Sequence, residues 1–166
     1  MKLRLAIATP NDAPQIASLL SETAQHLTSV YGEGHWSYQS TEKGVLFGMK
    51  GNVKVLLARQ DKIIVGSLRL TTKKPWAIDT AYFTRVHQPL YLVDMAVKPD
   101  LQRTGIGRYM LQEVTSFAKS WPAQAVRLDA YDTPAGAGEF YRKCGYRERG
   151  HVIYKGTPLI YFELML

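Results

Sequence analysis

Residues 92–111 read LVDMAVKPDLQRTGIGRYML, and this stretch decides the fold. It begins as an apolar run of strand character, which Pro99 ends because proline cannot donate to a strand ladder. Gly105 and Gly107 then open a segment with apolar residues every three to four positions, the pattern of an amphipathic helix. Free backbone N–H groups at such a helix start, which glycine lets a ligand approach closely, favour a phosphate or pyrophosphate.

The loop differs from two common phosphate-binding motifs. A P-loop requires G-x-x-x-x-G-K-[ST], which the sequence lacks, and a dinucleotide fold requires a third glycine where Met110 stands. The sequence instead carries Gln102-x-x-Gly105-x-Gly107. With its strand and the V-K-P-D turn at residues 97–100, this motif resembles the pyrophosphate loop of the GCN5-related N-acetyltransferases, the GNAT family. An ordinary strand-to-helix turn with structural glycines is the alternative.

A second motif strengthens the resemblance. Residues 140–146 read FYRKCGY and are similar to the family's F-Y-x-K-x-G-F/Y segment. The resemblance implies that Tyr141 lies beside the CoA sulfur and acts as the general acid; the alternative is a packed aromatic on a short helix. Gly145 is predicted to close that helix. Pro134 stands where many members have an Asn that bonds pantetheine, and we predict that the helix begins there.

The resemblance also implies an acetyl-CoA site along the first motif. The N–H of Met95 would point at the thioester oxygen, and the backbone of Val97 would pair with pantetheine. The pyrophosphate would contact the loop amides, with two arginines adding positive charge. The expected cofactor-binding residues are Met95, Ala96, Val97, Gln102, Arg103, Thr104, Gly105, Ile106, Gly107, Arg108 and Tyr141. No metal site is predicted.

The sequence does not identify the general base. Family members with a carboxylate base often carry Glu at the positions of Tyr91 or Val93. Asp94 is adjacent, but strand alternation places it on the opposite face, so a structural role is expected unless a bulge intervenes. The remaining candidates are titratable residues with no predicted position near the thioester: Asp129, Glu139, His87 and His35. A water chain or an amine that arrives neutral would also serve.

Cys144 and several aromatic residues each allow two interpretations. Cys144 is expected to be a small buried hydrophobe rather than a covalent acetyl carrier. Trp36, Trp76 and the tyrosine-rich residues 82–91 are expected to line the acceptor side, or else to be ordinary core or surface aromatics.

Length and composition limit which other classes of protein this chain can belong to. A chain of 166 residues suits one domain, residues 1–166. Its one cysteine excludes an internal disulfide framework and, with no signal-peptide pattern, predicts a cytoplasmic protein. No apolar run is long enough for a membrane span, so we expect no membrane partner. The net charge of +7 comes from scattered Lys and Arg, so nucleic acid is not the expected partner.

The resemblance therefore implies a single-domain α/β GNAT-like fold in the order β-α-α-β-β-β-α-β-α-β-β. We expect a mixed, mostly antiparallel central sheet, flanked by helices, with splayed central strands. The implied function is an N-acetyltransferase that moves the acetyl group of acetyl-CoA directly to a primary amine of a small molecule or peptide. Two alternatives are a catalytically silent acyl-CoA-binding regulatory module and a basic nucleic-acid-binding domain. The C-terminal strand pair offers an edge for a homodimer.

Overall fold

The computed structural model describes residues 2–166 and has the predicted order of helices and strands. The helices are α1 Ala13–Tyr31, α2 Glu42–Gly48, α3 Ile106–Ser120 and α4 Gly138–Lys143. The strands are β1 Leu3–Ile7, β2 Val53–Gln60, β3 Ile63–Thr71, β4 Pro89–Val97, β5 Ala125–Tyr131, β6 Arg147–Tyr154 and β7 Thr157–Met165. Within residues 2–166, no helix is both long and apolar enough to cross a membrane.

The strands form a seven-stranded sheet in the order β1-β2-β3-β4-β5-β7-β6. Antiparallel pairs join β1 to β2, β2 to β3, β5 to β7 and β6 to β7, whereas β4 and β5 are parallel. The parallel register pairs Pro89–Tyr91 with Ala125–Arg127, the first part of each strand, as expected for strands that splay. The predicted α/β fold with a mixed, mostly antiparallel sheet is confirmed.

The chain divides into two compact units. The first comprises the residues up to Thr71 together with Val93–Glu113, and the second comprises Thr72–Leu92 together with Val114–Leu166. A single N-acetyltransferase domain over residues 1–166 stays a prediction.

In the first unit, α1 and α2 pack on the sheet through apolar side chains at helical spacing. The buried cluster consists of Ile16, Leu19, Val55, Leu57, Ile64 and Ala96. Val45 of α2 and Met49, which follows it, pack against this cluster. Complete burial of such side chains contributes about 1.5–3 kcal/mol each. This packing gives a rigid support for the end of β4, where Ala96 belongs to the core.

Gly66 in β3 lets α3 approach the sheet closely. Met110 of α3 is fully buried, and a Cβ on residue 66 would lie 2.5 Å from its Sδ atom. The Cβ atom of Ala58 would lie 3.4 Å away on the neighbouring strand. Because real Cβ atoms do not approach other atoms to 2.5 Å, Met110 occupies the space that any side chain at position 66 would need. The contact therefore fixes the distance of this part of α3 from β3.

In the second unit, a buried ion pair ties the segment between β3 and β4 to the sheet. Arg127 of β5 donates from Nε to Glu163 of β7 at 3.0 Å, and their side chains are 5% and 2% exposed. Arg127 also donates to the Tyr91 hydroxyl at 3.3 Å and to the Thr84 carbonyl at 2.5 Å. Thr84 donates from its N–H and its hydroxyl to Glu163, at 3.3 and 2.7 Å. Every charged group of the network is thus hydrogen-bonded.

We predict that Glu163→Ala lowers the free energy of unfolding by about 3–5 kcal/mol, because the Arg127 charge stays buried without its counter-ion. Urea unfolding at neutral pH measures the loss. Glu22→Ala is the control, since Glu22 pairs with Lys98 at 3.2 Å between side chains that are 44% and 29% exposed. That exposed pair contributes about 0–1 kcal/mol. Equal losses in the two variants would contradict the prediction.

Candidate active site

The glycine loop lies between β4 and α3 in the first unit and is braced by its own side chains. Pro99–Leu101 forms a 3₁₀ turn. Gln102 donates from its side-chain amide to the Val97 carbonyl at 3.1 Å, and the Thr104 hydroxyl donates to the Leu101 carbonyl at 2.5 Å. The side chains of Gln102 and Thr104 therefore hold the loop in shape, whereas the predicted ligand contacts would come from the backbone beside them.

Free amides are concentrated at the start of α3. Gly105 has φ 97°, a conformation that glycine adopts without cost, and its carbonyl accepts the N–H of Tyr109 at 3.0 Å. The N–H groups of residues 106–108 precede this bond and, as at any helix start, have no acceptor within the helix. A Cβ on Gly105 would meet no heavy atom of the described chain within 4 Å, so the approach to these amides is open.

The charge around the loop suits an anion. Arg103 and Arg108 are exposed on either side of Gly105. The helix dipole adds the equivalent of about half a positive charge at the start of α3. Arg103 itself has φ 63°, which turns the chain towards the helix. Open amides, a glycine and two arginines together fit the pyrophosphate of a nucleotide cofactor.

The end of β4 contains a break in the extended backbone. Asp94 has φ 54°, and a left-handed residue inside a strand is characteristic of a β-bulge. The structural role predicted for Asp94 was conditional on the absence of a bulge. Despite the break, the carboxylate accepts two hydrogen bonds from Arg69, at 3.2 and 3.0 Å, so it has a structural partner. The residues that follow are Met95 and Val97, which are half-buried, and Ala96, which is buried.

In the second unit, α4 holds Tyr141 by the hydrogen bonds that end the helix. The N–H of Tyr146 donates to the Tyr141 carbonyl at 3.0 Å, and that of Gly145 donates to the Arg142 carbonyl at 3.1 Å. Gly145 has φ 91°, so this is a Schellman motif with glycine where it was predicted. The motif brings the rings of Tyr141 and Tyr146 to 5.8 Å, and Phe162 lies 5.9 Å from Tyr141 on β7. Tyr141 is therefore tightly packed, at 7% exposure.

The surroundings of Tyr141 keep its hydroxyl protonated. Burial raises the pKa of Tyr141 well above the ordinary value for tyrosine, and the nearby Asp129 and Cys144 raise it further. A phenol with a raised pKa keeps its proton at neutral pH and so remains a hydrogen-bond donor. Burial also raises the pKa of Tyr146, whose hydroxyl has no hydrogen-bond partner within the described part of the chain.

Two expectations about this segment were wrong. The helix begins at Gly138 and not at Pro134. Residues 132–137 form a turn instead, in which the N–H of Gly136 donates to the Thr133 carbonyl at 2.9 Å. Gly136 packs so tightly that a Cβ there would lie 1.8 Å from the carbonyl oxygen of Tyr131. Cys144, expected to be buried, is half-buried at the end of α4.

The candidate bases differ in their surroundings. Asp129 is half-buried on β5, and its charge raises the pKa of Tyr141. Glu139 forms a 3.4 Å ion pair with Arg142 on the exposed side of α4. His35 and His87 are exposed. Of the four candidates, Asp129 is the one with a described electrostatic effect on Tyr141.

The aromatic residues expected on the acceptor side are divided. Trp76 is 84% exposed. Trp36 is half-buried, and its indole N–H donates to the Gly32 carbonyl at 2.9 Å. In contrast, part of the 82–91 stretch lines a cavity of about 500 Å³ in the second unit. The residues around this cavity are Asp79, Thr80, Ala81, Phe83, Thr84, Arg85, Val86, Pro89, Tyr91 and Arg127.

A titratable cluster beside α4 was missed by the sequence analysis. His151 of β6 contacts the Asp132 carboxylate at 3.0 Å through Nδ1 and the Glu148 carboxylate through Nε2. Glu148 also accepts two bonds from Arg142 of α4, at 3.2 and 3.0 Å. The two carboxylates, first Asp132 and then Glu148, raise the pKa of His151. A register shift at Gly150 puts Glu148 and His151 within reach, and strand alternation alone does not predict it.

The sequence profile of the acetyltransferase (GNAT) domain matches residues 51–148, more than half of the chain. The chain belongs to the GNAT family, as its motifs predicted. The matched part contains both the glycine loop and Tyr141. No curated protein matches the chain.

Solved structures of low sequence identity share the fold. PaiA N-acetyltransferase from Thermoplasma acidophilum, in complex with coenzyme A, has a TM-score of 0.75 and 15% identity, with 100% of each chain covered. YncA from Salmonella typhimurium, with its cofactor acetyl-CoA, has a TM-score of 0.73 and 13% identity. The match covers 99% of this chain and 94% of that chain. A ribosomal-protein-alanine N-acetyltransferase from Brucella melitensis has a TM-score of 0.75 and 16% identity. The match covers 98% of this chain and 99% of that chain.

We predict that the stabilisation by His151 is lost as the pH rises. Its folded-state pKa is raised, so the stabilisation is complete below the unfolded value of about 6.5 and disappears above the folded value. The difference in melting temperature between wild type and His151→Gln should be largest near pH 6 and much smaller by about pH 9. His26→Gln, at an exposed position on α1, should change the melting temperature at neither pH. A difference for His151→Gln that is independent of pH would contradict the prediction.

Proposed function

We propose that this chain is an N-acetyltransferase that takes the acetyl group of acetyl-CoA and transfers it directly to a primary amine. The observation that carries the proposal is the open, positively charged start of α3 in a chain of the GNAT family. Structural neighbours solved with coenzyme A or acetyl-CoA support the choice of donor. The amides of residues 106–108 and the side chains of Arg103 and Arg108 would bind the pyrophosphate.

The end of β4 would bind the rest of the donor. Acetyl-CoA supplies the acetyl group as an activated thioester. The N–H of Met95, which follows the break at Asp94, would donate to the thioester oxygen, and the backbone of Ala96 and Val97 would pair with the pantetheine arm. A preorganised donor at such an oxygen contributes on the order of 10²–10³ in rate.

Tyr141 would be the general acid. Attack by a neutral amine forms a C–N bond and breaks the C–S bond, and the electron pair leaves on sulfur. The Tyr141 hydroxyl would donate its proton to that sulfur, and the ammonium proton would pass to a base or to water. The raised pKa of Tyr141 keeps the proton on its hydroxyl at neutral pH, so a hydrogen-bond donor would be in place when the sulfur leaves. Because the same shift makes Tyr141 a weaker acid than a thiol, the role as general acid rests on the family motif and on the hydrogen bond to the developing thiolate.

The cavity in the second unit supports an acceptor side that includes Phe83 and Tyr91. Its lining carries both signs of charge, from Asp79 and Arg85, which suits a polar amine rather than an apolar one. The acceptor would be a small-molecule or peptide amine. The enzyme would be cytoplasmic and would form a homodimer through β6, the last strand in the sheet order.

The test compares binding with turnover. Acetyl-CoA at one hundred times its dissociation constant should stabilise the protein by about 2.7 kcal/mol, measured as a melting shift. A panel of primary amines should then release free CoA thiol, detected colorimetrically. A melting shift without CoA release from any amine would favour the silent binding module. No shift, together with salt-sensitive binding to DNA or RNA, would favour the nucleic-acid-binding domain.

We predict that Gly107→Glu abolishes the melting shift with acetyl-CoA while the protein stays folded. A side chain in the first turn of α3 would occupy the proposed pyrophosphate position, and its carboxylate would repel the phosphates. Gln112→Glu is the matched control, since it adds the same charge at an exposed position on the same helix. A shift that is the same in Gly107→Glu and wild type would move the pyrophosphate away from this loop.

We predict that Tyr141→Phe lowers kcat by on the order of 10² and changes acetyl-CoA affinity by less than about threefold. Phe keeps the packed ring and removes only the proton donor. The loss should shrink with a donor whose thiol is more acidic, because that leaving group needs less protonation.

Tyr146→Phe is the control for the same chemical change. Its ring is also buried, and its unpartnered hydroxyl makes the change neutral or stabilising. Steady-state kinetics with two donors, at saturating acceptor, measure both variants. Equal kcat values for Tyr141→Phe and Tyr146→Phe would leave Tyr141 as a packing residue.

A further inference from the structure

We propose that Arg69 is a positioning residue that holds the break in β4, and through it the N–H of Met95, in the geometry used for acetyl transfer. This inference rests on the proposed function, which gives the Met95 N–H its role. The residues involved are Arg69, Asp94, Met95 and Gly48, and all of them belong to the first unit.

Asp94 is in a costly conformation at an unusual place. Four described non-glycine residues have positive φ: Asp61, Asp94, Arg103 and Lys155. Three of them lie in turns between elements, where such values are common. Asp94 alone among these four lies inside a strand. A left-handed conformation costs most non-glycine residues about 1–2 kcal/mol and aspartate less, so a contact that fixes the Asp94 side chain also helps to hold its backbone.

Arg69 supplies that support. It donates from Nε and Nη2 to one carboxylate oxygen of Asp94, at 3.2 and 3.0 Å. Its third nitrogen, Nη1, donates to the Gly48 carbonyl at 3.3 Å, at the C-terminus of α2. A cation is favoured there by the helix dipole. The guanidinium is thus fixed between β3, the break in β4 and the end of α2.

This contact contributes more to geometry than to stability. The side chains of Arg69 and Asp94 are 30% and 57% exposed, and exposed ion pairs contribute about 0–1 kcal/mol. The direction of the Met95 N–H is set by the peptide plane that joins it to Asp94. A shift of that plane by about 1 Å would cost on the order of 10² in rate. Loss of Arg69 should therefore change catalysis far more than folding.

The first experiment compares two arginine variants. Arg69→Ala should lower kcat by about tenfold or more, with the KM for acetyl-CoA changed by less than about threefold, because pyrophosphate binding is untouched. Arg59→Ala is the matched control, since Arg59 forms a 2.5 Å pair with Asp12 in the same unit. It should leave kcat unchanged. An unchanged kcat in Arg69→Ala, with active wild type, would overturn the proposal.

The second experiment is a double-mutant cycle with Asp94→Gly. Glycine adopts the left-handed conformation without support, and Asp94→Gly also removes the carboxylate that Arg69 binds. In this background Arg69 therefore no longer affects the backbone at position 94. Arg69→Ala should then lower kcat by less than about threefold, although it costs tenfold or more with Asp94 present. Arg69→Lys should recover little activity, because one ammonium cannot reach the carboxylate and the Gly48 carbonyl together. An Arg69→Ala effect of equal size in both backgrounds would overturn the proposal.

The third measurement does not depend on activity. In ¹⁵N relaxation dispersion of the protein without substrates, Arg69→Ala should show exchange broadening at residues 94–96 that wild type and Arg59→Ala lack. Unchanged relaxation at these residues would overturn the role of Arg69, whatever the enzyme assays give. Wild-type protein that neither binds acetyl-CoA nor releases CoA would instead overturn the proposed function, and the relaxation comparison would still decide the role of Arg69.

Discussion

The left-handed conformation of Asp94 is the constraint on which the candidate site depends. Before it, Pro89–Tyr91 pair in parallel with β5; after it, the N–H of Lys98 donates to the Val65 carbonyl of β3 at 2.8 Å. One strand thus contributes residues to both compact units, and its extended backbone is interrupted at a single residue. The glycine loop begins directly after the second segment. Its position therefore depends on a backbone angle that most residues avoid.

Much of the fold could be predicted because local signals agreed with one another. Apolar alternation marked the strands, and glycine and proline marked their ends, so the order of helices and strands was correct throughout the described chain. Gly145 was found where a helix end requires φ above zero. The two motifs predicted the GNAT family correctly, because the spacing of glycines in a phosphate loop reflects local backbone geometry.

The errors and omissions have a common physical origin in contacts between distant segments. Pro134 is a good first residue for a helix, yet the tight packing of Gly136 on Tyr131 bends that segment into a turn. Arg69 is 25 positions from Asp94, and nothing in the periodicity of β3 indicates that its side chain reaches β4. The site of His151 depends on an irregular register in β6. Pattern and propensity do not report such encounters.

The contact between Gly66 and Met110 has a consequence for the history of this chain. Position 66 has room for a side chain only if the Met110 side chain moves or is replaced by a smaller one, since Met110 Sδ would lie 2.5 Å from the new Cβ. In lineages that share this architecture, the two positions should therefore change together, with larger residues at 66 accompanied by smaller ones at 110. A substitution at 66 that arises first would be selected against until its partner changes. Two positions 44 residues apart in the sequence are thus expected to be coupled in their effect on stability.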